Sequence, residues 1–106
     1  MKYHNKKTRV FGIMFDSKHE AERYLVLRDM ERDGKISDLR LQVKFELIPP
    51  FKIGGKAYHS ANYIADFVYT KNGKQIVEDA KGVRTSVYQL KKKLMAWRHG
   101  IEIREV

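Results

Sequence analysis

Two strand-like segments joined by Asn72-Gly73 constrain the fold of this chain more than any other feature of its sequence. Residues 60–69 and 75–81 are rich in β-branched and aromatic residues, which favour extended structure. Asn-Gly between two such segments is typical of a tight β-hairpin turn, because both residues accept the positive φ that the turn requires. The sequence therefore predicts that the two segments pair as antiparallel strands.

The predicted hairpin carries acidic residues on both strands. Asp66 lies among apolar neighbours in the first strand, where a carboxylate is costly unless it is paired or binds a ligand. In the second strand Asp79 and Lys81 point to one face, whereas Glu78 points to the other. We predict that Asp79 joins Asp66 at a site, with Glu78 as a helper or a solvent-facing residue. Asp79 and Lys81 alone would equally fit a surface ion pair, worth at most about 1 kcal/mol.

Two carboxylates beside a lysine are the groups that divalent-metal phosphodiester hydrolysis requires. The carboxylates are hard oxygen ligands for Mg²⁺, and the lysine supplies a cation for the attacking water or the scissile phosphate. The hairpin pattern of Asp66, Asp79 and Lys81 therefore makes this chemistry one candidate function of the chain.

A helix is predicted before the hairpin, beginning after Ser17 and ending near Asp33. Ser17 followed three residues later by Glu20 is the capping-box pattern, and Gly34 is typical of a helix end. Helical periodicity puts Glu20 on the stripe that faces a sheet and Glu22 on the opposite side. The spacing thus leaves two roles open for Glu20: it caps its own helix, or it is a third acid beside the hairpin.

The other elements are predicted from apolar periodicity and from glycine and proline. Alternation over 36–48 predicts a long strand with one buried face, and 51–56 is predicted as a turn or loop. A second helix is predicted over 85–99 and a last strand over 101–106. The predicted apolar stripe of the second helix consists of Val87, Leu90, Leu94 and Trp97.

The domain organisation follows from length and from the charged start of the chain. Residues 1–9 have high charge and no apolar period, so they are predicted to form a flexible basic arm. Residues 10–106 are predicted to be one domain, which opens with a short strand or an extended lead-in over 10–15.

The charge balance favours a polyanionic partner. The chain has 22 Lys and Arg residues against 13 Asp and Glu residues, a formal net charge of +9, which suits either nucleic-acid binding or a solvated basic surface. Much of the positive charge is in the arm and on the second helix, which favours DNA contact there. The predicted DNA-binding residues are Lys6, Lys7, Arg9, Lys91, Lys92 and Lys93.

Other classes of site are excluded by composition. The chain has no cysteine, which removes disulfides and thiolate zinc sites, and its four histidines have no ligand spacing. No apolar run has the length of a membrane span or of a signal peptide core. A cytoplasmic protein without a membrane partner is expected.

The element order of helix, three strands, helix and strand resembles the αβββαβ core of the PD-(D/E)XK nuclease superfamily. The superfamily's acidic positions match Glu20 on the first helix, Asp66 on the second core strand, and the triplet Asp79-Ala80-Lys81 on the third. Ala65 stands at the position where the superfamily name has proline. Because Glu78 lies directly beside Asp79, the sequence leaves open which of the two acids binds the metal. Residues 15–24, 63–67 and 77–82 look like small phage and prophage Holliday-junction resolvase-like endonucleases, once filed as a domain of unknown function.

The resemblance implies an α/β, restriction-endonuclease-like fold with a mixed central sheet flanked by two helices. It implies a DNA endonuclease in which Mg²⁺ or Mn²⁺ is held by Asp66, Asp79, Glu20 and the Ala80 carbonyl. Lys81 would position the attacking water or stabilise the charge that develops on the phosphate.

The implied substrate is branched phage DNA in the host cytoplasm, cut by a homodimer. A nicking or restriction-like duplex nuclease of the same fold, an enzyme acting on RNA, and a non-catalytic nucleic-acid-binding module are the alternatives.

Overall fold

The computed structural model describes residues 6–80 and 84–106, which form a mixed α/β fold around a central sheet of four strands. The two helices are α1 (Lys18–Arg32) and α2 (Ser86–His99), and the strands are β1 (Thr8–Val10), β2 (Ile13–Phe15), β3 (Ser37–Ile48), β4 (Phe51–Ile53), β5 (Lys56–Tyr58), β6 (Ala61–Lys71), β7 (Lys74–Asp79) and β8 (Arg104–Glu105). The sheet has the order β3-β6-β7-β8, antiparallel except for the parallel β7–β8 pair. The predicted pair of helices and the mixed sheet are confirmed in this part of the chain.

Both helices begin and end at capping residues, and Ser17 is the N-cap that the sequence predicts. The Ser17 hydroxyl accepts a hydrogen bond from the backbone N–H of Glu20 at 3.1 Å, and Thr85 caps α2 in the same way. Gly100 ends α2 with a φ of 66°, a left-handed conformation that glycine adopts without steric cost. Local sequence therefore determines where both helices begin and end.

The β6–β7 hairpin is confirmed, with Asn72 and Gly73 at positive φ in its turn. Its register pairs Phe67 with Glu78. Continuing that register by one residue places Asp66 opposite Asp79, so the hairpin does bring the two acids to neighbouring positions.

Two apolar clusters lie on opposite faces of the sheet. Phe67 belongs to one and Val68 to the other, and adjacent residues of a strand point to opposite faces. The α1-side cluster contains Leu27 of α1, and the α2-side cluster contains Met95 of α2; all four side chains are buried. Each helix thus covers one face, and polar side chains at the end of the hairpin are enclosed between them.

Strand β3 changes face at Gln42, so the predicted single buried face is wrong. Leu41 packs against the α1-side cluster, whereas Val43 packs against the α2-side cluster. Gln42 has a φ of 53°, a left-handed backbone that rotates the strand. Buried or half-buried residues still alternate with exposed ones along β3, but the inward residues before and after Gln42 face different clusters. The β3–β6 ladder omits the pair of Gln42 with Asp66, which would be opposite each other by register.

The predicted apolar stripe of α2 is wrong at three of its four residues. Val87, Leu90 and Trp97 are 61%, 56% and 79% exposed. The residue that α2 buries is Met95, with Leu94 packed beside it. The helix carries more apolar residues than one stripe holds, so periodicity alone does not choose among them.

Two segments are more regular than predicted. The loop predicted at 51–56 is a second hairpin, in which β4 and β5 pair around a Gly54-Gly55 turn. The lead-in at 10–15 pairs with residues of the predicted arm, because β1 begins at Thr8 and turns back at Phe11-Gly12.

The chain ends are described in part. The last strand, predicted over 101–106, is limited to two residues, and residues 1–5 of the predicted arm lie outside the described residues. No helix in the described part of the chain is long and apolar enough to span a membrane.

Candidate active site

An amide side chain on β3 joins two buried acids from different elements. Glu20 in the first turn of α1 and Asp66 in the middle of β6 are 3% and 0% exposed. The Gln42 Nε2 donates to Glu20 Oε2 at 3.1 Å and to Asp66 Oδ1 at 3.2 Å. One neutral amide therefore holds both carboxylates at the face change of β3. The Glu20 side chain points to the sheet, as its position on the helical stripe predicts.

The second oxygen of Asp66 connects the site to β7. Its Oδ2 accepts a hydrogen bond from the backbone N–H of Ala80 at 2.8 Å. Ala80 is the middle residue of the acid-x-lysine triplet, so Asp66 fixes the backbone between Asp79 and Lys81. Lys81 itself lies outside the described residues.

Asp79 is buried beside this acid pair and has partners of its own. The Tyr63 hydroxyl donates to Asp79 Oδ2 at 2.8 Å, and the Arg84 guanidinium lies 3.7 Å from Oδ1. Burial and the bond to Asp79 raise the pKa of Tyr63, so Tyr63 remains a hydrogen-bond donor at neutral pH. Tyr63 and Arg84 thus hold the Asp79 side chain in place from the α2 side of the sheet.

Glu78 is directed to the opposite face, and of its two predicted alternatives the solvent-facing one is wrong. It is fully buried, and Arg23 of α1 donates to its two oxygens at 2.8 and 2.6 Å. The Tyr69 hydroxyl donates to Glu78 as well. This bidentate pair raises the pKa of Arg23 and occupies Glu78 away from Asp66, which favours Asp79 as the acid that β7 contributes to the site.

Glu20 and Asp66 form a pair joined by Gln42, and Asp79 is a third acid beside that pair. Within residues 6–80 and 84–106, no three His, Cys, Asp or Glu side chains lie close enough together to hold a metal ion. The predicted set of Glu20, Asp66, Asp79 and the Ala80 carbonyl therefore stays a prediction. Its carboxylates are the oxygen donors that Mg²⁺ and Mn²⁺ prefer.

A groove of about 820 Å³ runs past Asp79. Its walls come from β3, the start of β6 and the first turns of α2, and they include both apolar side chains and the cations Lys44 and Lys91. Its size is that of a site for a small ligand or one nucleotide. Lys91, a predicted DNA contact, therefore lies on the same groove as Asp79.

The other predicted DNA-binding residues are spread over the surface. Lys6, Lys7 and Lys93 are exposed. Arg9 is exposed too and donates to the Gly12 carbonyl, and Lys92 bonds to Glu105 at 3.1 Å. The structure does not gather these cations around the acids.

Sequence analysis did not identify Gln42, Tyr63 or Arg84 as site residues. Gln42 stands among charged residues of an alternating strand, and nothing in the local pattern marks its left-handed backbone. Tyr63 is an ordinary strand residue by composition. Its position three residues before Asp66, on the hairpin that also holds Asp79, is the only signal that points to it.

The buried tyrosines predict that the protein loses stability in alkali. The folded protein raises the pKa of Tyr63, Tyr69 and Tyr88 through burial and through bonds to Asp79, Glu78 and Glu105, respectively. Above about pH 10 the unfolded chain releases these protons and the folded chain does not. The stabilisation is complete below pH 10 and falls as the pH rises, by about 1.4 kcal/mol per pH unit for each tyrosine.

The variant Tyr63→Phe tests this expectation. Between pH 9 and 11, urea unfolding should show a total loss of stability that is smaller by about 1.4 kcal/mol in the variant than in the wild type. Phenolate absorbance at each pH counts the tyrosines that ionise in the folded state. An unchanged pH dependence in the variant would contradict the role given to Tyr63.

Comparison with known proteins gives one match. The model of the family described as "Protein of unknown function (DUF1064)" matches residues 1–105. No curated protein and no solved structure matches the chain.

Proposed function

The chain belongs to the family described as "Protein of unknown function (DUF1064)", and we propose that it is a divalent-metal-dependent DNA endonuclease with a PD-(D/E)XK-type core. The observation that carries the proposal is the Gln42 bridge between Glu20 and Asp66. Asp66 is bonded in turn to the residue that follows Asp79. Buried acids of α1, β6 and β7 thus follow the order of the nuclease motif along the chain, which supports the proposal.

The topology supports this proposal. An antiparallel β3-β6-β7 sheet is extended by a parallel strand after α2, and α1 and α2 cover opposite faces. This arrangement agrees with the element order of the αβββαβ core, which supports the proposal.

A Mg²⁺ or Mn²⁺ ion, when bound, would polarise the phosphodiester and lower the pKa of the attacking water. Asp66, Asp79 and Glu20 would hold it, with the Ala80 carbonyl as a further ligand. The protein's own groups keep these acids in place: Tyr63 orients Asp79, and the Ala80 N–H orients Asp66. We assign Lys81 the role of positioning the attacking water or stabilising the charge that develops on the phosphate.

The proposed substrate is DNA, and branched DNA in particular. A net charge of +9 favours a polyanion, and Lys44 and Lys91 line the groove beside Asp79. The proposed enzyme acts as a homodimer, because paired cuts in two strands need two sites.

The proposal is tested by cleavage assays on labelled four-way junction, fork, nicked duplex and linear duplex DNA. Each is incubated with Mg²⁺, Mn²⁺ or EDTA, using wild-type protein and Asp66→Asn. Metal-dependent cutting that the variant lacks would support the nuclease, and faster cutting of the junction would support the resolvase-like activity. If every substrate is bound and none is cut, the nuclease proposal fails in favour of a binding module.

The Gln42 bridge makes a separate prediction in the absence of metal. Gln42→Ala removes the donor that both carboxylates share, so we expect a loss of about 1–3 kcal/mol in the free energy of unfolding in EDTA. Saturating Mg²⁺ should reduce that loss, because a bound cation would replace the amide between the acids. Urea unfolding with and without Mg²⁺ measures both effects.

Asp38→Ala is the matched control, since Asp38 is an exposed β3 residue with nearly the same left-handed φ, 54° against 53°. The difference between the two variants isolates the side-chain bridge from backbone strain. Equal losses in both variants, with no effect of Mg²⁺, would contradict the bridge.

A further inference from the structure

The hairpin formed by β4 and β5 stands apart from both apolar clusters. We call residues 51–58 the wing. All of its residues are exposed, and it pairs as a separate two-stranded sheet with Gly54 and Gly55 in its turn. The wing follows Pro49-Pro50, whose fixed φ angles stiffen its attachment to β3. It contributes no buried side chain to the core, so core packing does not explain its sequence.

One face of the wing is apolar and ends in an exposed aliphatic residue. The rings of Phe51 and Tyr58 are stacked with centroids 4.8 Å apart and planes 9° apart. Ile53 and Lys56 form the next pair toward the tip on that face. Ile53 is 67% exposed. Aromatic stacking stiffens the base of a hairpin that would be marginal alone, and the stiffened hairpin presents Ile53 at its tip.

The charge of the wing fits a nucleic-acid strand. Residues 49–61 contain no acidic residue. The wing has lysines on both strands: Lys56 lies on the same face as Ile53, and Lys52 lies on the opposite face. The Lys56 ammonium lies 5.1 Å from the centre of the Tyr58 ring, so it is held over the apolar face. A basic ribbon that combines aromatic and aliphatic side chains has the chemistry of phosphate contact together with base contact.

The wing adjoins the groove of the candidate active site. Ser60 and Ala61, which follow β5 directly, line that groove together with Asp79. Ala61 precedes Asp66 by five residues on β6, about 17 Å at the rise of a strand. That length corresponds to about five nucleotides of one DNA strand. A strand held at Asp79 and followed along the groove therefore reaches the wing within a few nucleotides.

We propose that the wing binds DNA at an interruption of base stacking, with Ile53 inserted as a wedge. Lys56 and Lys52, on the two faces of the ribbon, would contact the phosphates on either side of the wedge. Aliphatic wedges of this kind enter base steps that are already unstacked or easily unstacked. The inference rests on the proposed function for the identity of the partner as DNA. It deepens that function, because it makes a branch point the preferred substrate.

The phosphate contacts are tested by binding in EDTA, where no metal-dependent cleavage occurs. Fluorescence anisotropy at several salt concentrations compares wild type with the double variant Lys52→Ala/Lys56→Ala on a four-way junction. We expect the double variant to bind more weakly than the wild type. The slope of its log K against log[salt] should be shallower by about 2. The matched control is Lys71→Ala/Lys74→Ala, which removes the same charge beside the Asn72-Gly73 turn at the other end of β6.

The wedge is tested with 2-aminopurine at the branch point and at the same position in a linear duplex. Wild-type protein should raise the fluorescence of the junction probe by unstacking it, and Ile53→Ala should remove that increase and most of the roughly tenfold preference for the junction that one wedge can supply. Val26→Ala, at an exposed position of α1, is the matched control. Thermal unfolding of each variant confirms that the domain is folded.

The outcomes separate this inference from the proposed activity. Variants of the wing that bind and unstack DNA as the wild type does would overturn the inference, whatever the cleavage assay shows. A wild-type protein that cuts no substrate but shows both wing effects would overturn the nuclease and leave the wing proposal standing. A loss confined to the lysine variant would overturn the wedge.

Discussion

Asp66→Asn is expected to lower the rate of metal-dependent DNA cleavage by about 10³-fold or more. Losing one carboxylate from a divalent-metal site costs several kcal/mol of transition-state stabilisation, and each 1.4 kcal/mol is a factor of ten in rate. Asp66 is also the acid that Gln42 and the Ala80 N–H both contact. An amide presents one acceptor where the carboxylate presents two, so one of these contacts is lost as well.

The measurement is a single-turnover cleavage rate with Mg²⁺, accompanied by DNA affinity in EDTA and by urea unfolding. Affinity should stay within a few fold of the wild type, because the proposed contacts to phosphate are assigned to other residues. Glu22→Gln is the control for loss of one negative charge, since Glu22 is exposed on α1 only two residues from Glu20. Cleavage by a folded Asp66→Asn protein at the wild-type rate would remove Asp66 from the site.

Much of the fold could be predicted because its signals are local. Ser17 and Thr85 mark helix starts, Gly100 marks a helix end, and Asn72-Gly73 marks a hairpin whose register is then fixed. The convergence of Asp66 and Asp79 follows from that register alone. Strand parity also separates Asp79 from Glu78 before any tertiary contact is considered.

The remainder depends on contacts that no short sequence window contains. The face change at Gln42 is a backbone property of one residue, and it decides which cluster Leu41 and Val43 join. The rotation of α2 is set by the fit of Met95 against the sheet, so an equally apolar stripe through Leu90 is left in solvent. The partner of Glu78 lies 55 residues away on another element.

That partner, Arg23, gives the largest expected effect on stability. Arg23→Ala leaves the fully buried Glu78 carboxylate without its cation, so we expect the free energy of unfolding to fall by about 3–5 kcal/mol. That is a large share of the 5–15 kcal/mol that stabilises a typical domain. Urea unfolding at pH 7 measures the loss. Adding Glu78→Gln to the variant should recover part of it, because the buried charge is then removed.

Arg32→Ala is the control, because its ion pair with Asp29 joins side chains that are 71% and 62% exposed and should contribute less than about 1 kcal/mol. Equal losses in Arg23→Ala and Arg32→Ala would contradict the importance of the buried pair. Arg23 also lies one helical turn after Glu20, and Glu78 precedes Asp79. The pair therefore fixes α1 against β7 close to Glu20 and Asp79. If it positions these acids for cleavage, the Arg23→Ala protein that remains folded should cut DNA more slowly than its folded fraction accounts for.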